Sequence, residues 1–177
     1  GVLLKPNRPQ DFLGKRVLTD DGKVDLAPAD FLAEAGALEL TFANELANRD
    51  ALKLISKRER FTHNSWMHNV EEYVKNRATN FVYLHPDDAR NLQLADGELA
   101  QVSTPTGSVT LPVKISDDMM PRVVALPHGW GHQQADGLSI ARRTSGVNPN
   151  LLAADGPDAL EKFAGMALLT GITVTVQ

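Results

Sequence analysis

The sequence predicts a mainly β domain, a mixed barrel of short strands with only short helices between them. Three observations carry that prediction. Short apolar pieces recur and are closed by turn residues, as where Val123 to Leu126 runs into Pro127. From Ser108 to Ile115, Val109, Leu111, Val113 and Ile115 alternate with Ser108, Thr110, Pro112 and Lys114, a period of two that turns one strand face to a core. No segment has the strand, long helix and strand spacing of a doubly wound sheet.

Residues 1–16 hold Pro6, Asn7, Pro9 and Gln10 with little periodicity and read as an irregular arm. Val17-Leu18-Thr19 and Val24-Asp25-Leu26 flank the turn signal Asp20-Asp21-Gly22-Lys23, which predicts a hairpin. Pro28 at a first helical position, with Asp30 and Glu34 in the early turns, predicts a short helix that ends near Gly36. The polar stretch Ala43 to Asp50 is ambiguous, and Leu52 to Lys57 reads as a strand. Phe81 to Leu84 is a strand leading into a two-turn helix over His85 to Leu92, opened by Pro86 and by two acids in the first turn. Asp96-Gly97 turns the chain into a strand over Glu98 to Thr104, and Pro105-Thr106-Gly107 returns it through Ser108 to Ile115, where Pro112 implies an edge or a bulge. Beyond Val123 to Leu126 come a loop-like stretch over 133–150, a short helix over Pro157 to Phe163 and a last strand over Ile172 to Val176. Two parts result: an arm with hairpin and short helix over residues 1–50, and the barrel over 51–177.

At 177 residues and 42% hydrophobic content the chain can bury a core of its own. No apolar run approaches the roughly 20 residues of a membrane helix, so a soluble chain without membrane insertion is expected. It begins with Gly1 and shows no basic-then-apolar leader; a processing or cloning scar is expected there, with the native start left open. The absence of cysteine removes disulfides, thiolate metal sites and thiol catalysis, and does not separate cytoplasm from periplasm. The cytoplasm is the expected compartment, with the periplasm left open. A net charge of −4 argues against a nucleic-acid surface. The cations are unevenly spread, however: Lys53, Lys57, Arg58 and Arg60 crowd the end of the predicted strand, where a small anion would be held.

That strand end is the first candidate site. Ser56 to Asn69 reads Ser-Lys-Arg-Glu-Arg-Phe-Thr-His-Asn-Ser-Trp-Met-His-Asn. Ser56, Arg58, His63, Asn64 and Ser65 supply donors suited to a phosphorylated or heavily hydrogen-bonding ligand, and the competing reading is an exposed polar loop. The second candidate is His128-Gly129-Trp130-Gly131-His132. Its glycines oppose a helical two-histidine metal site; they allow close approach to a planar ligand, or a plain turn with Trp130 packed on the barrel. The third is Asn148-Pro149-Asn150, in which Asn148 and Asn150 offer the donors and acceptors of a heterocycle edge, although Asn-Pro alone is an ordinary turn. Asp87-Asp88 and Asp117-Asp118 read as capping or solvated acids, and no nucleophile elbow, phosphate loop or catalytic triad spacing is present. No catalytic residue and no metal ligand is assigned.

In order along the chain, Leu54-Ile55-Ser56 to His63-Asn64-Ser65, Leu84-His85-Pro86-Asp87-Asp88-Ala89, Leu94-Ala95-Asp96-Gly97-Glu98, a strand pair about Gly107, Val123 to Gly131, and Val147-Asn148-Pro149-Asn150-Leu151 resemble the C-terminal domain of the molybdopterin oxidoreductases, the dimethyl-sulfoxide-reductase superfamily. The resemblance covers about residues 52–177, and residues 19–23 are similar to a hairpin that precedes this domain in full enzymes. It implies a six-stranded double-psi β-barrel of the aspartate-decarboxylase-like kind, with residues 1–50 as a linker from a preceding domain. It also implies that Ser56, Arg58, His63, Asn64, Ser65, His128, Gly129, Trp130, Gly131, Asn148 and Asn150 face a bis-molybdopterin guanine dinucleotide carrying molybdenum or tungsten. The metal ligand and any iron–sulfur motif of such enzymes lie in preceding domains, so the implied chain is a cofactor-binding piece of a larger oxidoreductase, inactive alone and partnered by those domains. Formate, nitrate, sulfoxide and sulfur-oxyanion substrates stay open. The rival expectation is a double-psi barrel used for protein recognition, marked by an exposed apolar patch in place of a polar rim; a third is a small metal hydrolase using the histidines.

Overall fold

The computed structural model describes residues 17–177, so the irregular arm expected over 1–16 lies outside the described residues. The chain divides between Arg49 and Asp50 into two units. In the first, the expected hairpin is a turn without strand pairing. Thr19 Oγ1 donates to the Lys23 carbonyl at 2.6 Å and Asp21 Oδ1 accepts from the Lys23 N–H at 3.0 Å, so local side chains satisfy the backbone. Leu18 and Leu26, 93% and 91% exposed, find no face to bury. Helix α1 then spans Ala29–Ala47, well past the stop expected at Gly36. One internal glycine costs about 1 kcal/mol against alanine, which the Ala, Leu and Glu residues on both sides offset. Asn48 ends the helix, its backbone N–H and its side-chain Nδ2 both donating to Asn44 O.

The second unit is a closed barrel of six strands: β1 (Leu52–Lys57), β2 (Val82–Leu84), β3 (Leu99–Ser103), β4 (Ser108–Ile115), β5 (Val123–Pro127) and β6 (Thr170–Val176). Around the barrel they run β1-β5-β2-β4-β3-β6. The β1/β5 and β2/β4 pairs are parallel and the remaining pairs antiparallel, which is the mixed barrel that the sequence predicts. Strand β4 behaves as its alternation requires: Val109, Leu111 and Val113 are buried beside Ala100 and Val102 of β3, while Ser108 and Thr110 face out. Leu54, Val82, Leu84, Val124, Leu126, Val174 and Val176 join them, with Ala89 and Leu152 in the same cluster.

Pro112 stands inside a closed barrel instead of on an edge. Val113 directs both its N–H and its carbonyl toward the β3 side, to Glu98 O and from Gly97 N. The Pro112 nitrogen therefore faces the β2 side, one position before β2 pairing begins at Val82↔Val113, and no ladder bond is lost. The bulge lies elsewhere, between Leu54/Ile55 of β1 and Ile172/Thr170 of β6, where Gly171 sits at φ 79° and extends the last strand two residues ahead of its expected start.

Two short helices seat the strands. Helix α2 is Glu71–Val74, and α3 is Pro86–Leu92, opened by Pro86 as expected and capped by His85, whose Nδ1 accepts from the Asp87 N–H at 3.1 Å. Asp88 of α3 is buried and accepts from the Arg122 N–H at 2.6 Å, fixing the turn that launches β5. Pro157 to Phe163 does not form the expected helix; a single 3₁₀ turn over Pro157–Ala159 replaces it. The Glu161 carboxylate accepts from the N–H groups of Phe163 and Ala164, which withdraws them from helical bonding. Among the described residues no helix is long and apolar enough to cross a membrane. Leu111 is 1% exposed within the barrel, so Leu111→Ala is expected to destabilise the fold by about 3 kcal/mol. Leu38→Ala, on the 69% exposed side of α1, should leave the urea midpoint of the barrel unchanged.

Candidate functional site

The parallel β1/β5 pair determines the site, because parallel neighbours end at the same rim. Ser56 and Lys57 stand opposite Leu126 and Pro127, so the polar loop after β1 and the His-Gly-Trp-Gly-His loop after β5 leave side by side. His128 joins them. Its backbone N–H donates to Lys57 O at 3.1 Å, and its Nδ1 lies 3.0 Å from that carbonyl and 3.2 Å from Ser56 Oγ. On the far side Nε2 lies 2.9 Å from Asn64 Oδ1. In the Nε2–H tautomer the ring donates to Asn64 Oδ1 and accepts from the Ser56 hydroxyl at Nδ1, which completes the bridge.

Glycines then let the loops meet backbone to backbone. A Cβ on Gly129 would stand 2.3 Å from Asn64 O, and the residue holds φ 87°. His63 and Asn64 are themselves in the left-handed region at φ 46° and 62°, the tight turn that presents Asn64 to Gly129. A Cβ on Gly131 would meet Asn148 Cβ at 2.7 Å, which brings the third loop into contact with the second. Asn148 Oδ1 caps the 3₁₀ turn Pro149–Leu152 by accepting from the Asn150 N–H at 3.1 Å. Asn150 in turn shares a narrow cleft with Ser56.

Behind the rim sits Asn80, a residue that the sequence reading did not single out. It is fully buried, and every hydrogen-bonding group of its amide is used. Nδ2 donates to Pro127 O and to Val147 O, each at 3.0 Å, and Oδ1 accepts from the Val147 N–H at 2.9 Å. One side chain thus fixes the residue before His128 against the residue before Asn148. Asn69 does similar work further out, its Oδ1 accepting from the N–H groups of Ile140 and Ala141.

Beyond the cleft shared by Ser56 and Asn150, several of the expected site residues line two further depressions. Arg58, His63 and Asn64 line an open depression of about 430 Å³ together with Glu59 and Arg60, while Ser65 is exposed beside it. Gly131 and Asn148 border a second depression of about 560 Å³, lined by Ser108, Thr110, Gln133 and Gln134 without a charged side chain. Trp130 departs from the expectation of a ligand-facing ring. It is 3% exposed, Gly146 leaves room for its indole, and its Nε1 donates to Glu59 Oε2 at 3.2 Å. Its part is to hold the loop. His128 and His132 point to different partners, His132 Nε2 lying 2.7 Å from Gly129 O, and among the described residues no cluster of three metal-ligating side chains forms.

The six-stranded barrel thus carries cations, amides and hydroxyls on three loops that meet one another. Residues 52–166 match the molydopterin dinucleotide binding domain, and the chain belongs to that family, as the ordered motifs of the sequence imply. Relatives are the molybdopterin-binding-like subunit of menaquinone reductase from Nitratidesulfovibrio vulgaris, 34% identical over 54% of this chain and 13% of that protein, and a tetrathionate reductase subunit from Salmonella typhimurium, 31% identical over 57% and 12%. Acetylene hydratase from Pelobacter acetylenicus shares the fold with a TM-score of 0.61 at 25% identity, over 75% of this chain and 19% of that one. The chain therefore spans less than a fifth of the length of each of these proteins.

Two expectations follow from the buried groups. Asn80→Leu strands two carbonyls and one N–H in the interior and should cost about 3 kcal/mol, with hydrogen exchange at the Val147 amide accelerating first. The second concerns His68, 1% exposed and packed edge-on against Trp130 at 4.5 Å and His132 at 5.0 Å, with neither ring nitrogen hydrogen-bonded. Burial, and then the neighbouring His132, push its pKa from 6.5 down to about 4. The unfolded chain thus takes up the proton first, and stability falls as pH drops from 6.5 toward 4. Between pH 7 and pH 4.5, wild type should lose about 2 kcal/mol more than His68→Phe by urea denaturation.

Proposed function

We propose that this barrel grips the phosphates and heterocycles of a bis-molybdopterin guanine dinucleotide within a larger molybdenum or tungsten oxidoreductase, with preceding domains of the same polypeptide covering the other side of the cofactor. The observation that carries the reading is the depression lined by Arg58, Arg60, His63 and Asn64, with Ser65 beside it. Among the described residues the Arg58 guanidinium has neither hydrogen bond nor ion pair, although it borders a concave surface. Desolvated by a ligand, such a donor makes charge-assisted bonds to phosphate oxygens. The second depression, neutral and rich in amides, suits an uncharged heterocycle edge. The residues present therefore fit the group. When bound, the cofactor supplies the redox-active metal; this chain supplies binding and orientation.

The polar character of the rim favours a cofactor grip over the recognition module, which calls for an apolar patch at that place. Specificity for the parent's substrate belongs to groups outside this chain, and the cytoplasm remains the proposed compartment. In the full-length enzyme carrying this domain, Arg58→Ala should weaken cofactor retention by about 1.5–3 kcal/mol, read as molybdopterin content after gel filtration. Unchanged content in that variant, alongside normal folding, would reject the phosphate role.

A further inference from the structure

Trp66 lies in the turn after β1 and is 78% exposed, an unusual place for so large an apolar surface. Its indole meets His63 edge-on, with ring centroids 6.0 Å apart and planes at 61°. Its backbone N–H donates to His63 O at 3.3 Å, so the two residues belong to one hydrogen-bonded turn. His63 also lines the depression of Arg58, Arg60 and Asn64. A single imidazole is thus shared by a cationic hollow and an open aromatic face.

The other rings nearby are engaged. Arg77 stands 4.2 Å over Phe61 and Arg60 approaches the same ring at 5.9 Å. Lys57 covers Tyr83 at 4.5 Å, and Trp130 is buried against His68. Glu59, the one carboxylate on the wall of the depression, accepts from Trp130 Nε1 and is tied toward the interior.

We propose that Trp66 is the stacking platform for the heterocycle of a nucleotide whose phosphates lie against Arg58, Arg60 and His63. The inference rests on the phosphate reading of that depression and adds the ligand's other half. A bare inorganic anion would use the arginines and ignore the indole. A purely apolar partner would cover the indole and leave two guanidinium groups to be desolvated without compensation. A nucleotide carries an anionic chain and a planar π-face within one small molecule, and it satisfies both surfaces.

The chain has two tryptophans, one exposed and one buried, so the test is spectroscopic. Titration of guanosine diphosphate into the 177-residue chain is expected to quench the Trp66 emission, and excess inorganic pyrophosphate to restore it by competition. By calorimetry, Trp66→Ala should bind guanosine diphosphate about tenfold more weakly while holding pyrophosphate within about twofold of wild type, and Trp66→Phe should recover most of the loss. If both ligands bind and Trp66→Ala takes the nucleotide as tightly as wild type does, the platform is wrong and the phosphate reading stands. If neither binds wild type, the phosphate reading falls and the platform falls with it.

Discussion

The rim depends on one buried amide. Asn80 reaches carbonyls at the end of β5 and before Asn148 with the two hydrogens of one nitrogen, and its oxygen receives the Val147 N–H. Each of those backbone groups would otherwise be stranded in an interior without water. The loops at 128–132 and 146–150 therefore hold a fixed separation before any ligand arrives. Gly131 and Gly146 work only because of that separation, and Gly129 plays the same part against the loop after β1. Their missing Cβ atoms let Asn64, Asn148 and Trp130 approach to distances that no side chain would tolerate.

Rigid internal bonding sorts the polar residues of the rim into two groups. His128, Trp130 and Glu59 are committed to other parts of the protein and form the frame. Arg58, His63 and the exposed edge of Asn64 face a concave surface. In the proposed grip, affinity for an anionic ligand resides in the second group, and its geometry in the first. Such preorganisation lowers the ordering cost of binding, which otherwise consumes much of the interaction energy.

The strands were legible because a barrel wall turns one face in and one face out, and β4 prints that alternation without interruption. Elements governed by local competition were less so. Gly36 looks like a stop, yet the alanines and leucines around it carry α1 through. The side chains of Thr19, Asp21 and Glu161 take backbone partners that a hairpin or helix would have used. In the site, residue type was readable and direction was not. The glycines about Trp130 left open a close approach to a planar ligand or a ring packed on the barrel, and its indole turns inward over Gly146. Asn80 left no pattern at all, since its partners Pro127 and Val147 lie 47 and 67 residues away and a lone asparagine before a strand resembles a turn.

The pairing of β1 with both β5 and β6 has a consequence in time. Residues 52–57 wait for partners at 123–127 and 170–176, so the wall that carries the arginine-rich turn has no neighbour until β5 is made and is closed on both sides only with β6. Contacts of such long separation form late in folding. The β3/β4 hairpin, joined by a short turn, can therefore form before the wall that carries the arginine-rich turn is closed on both sides.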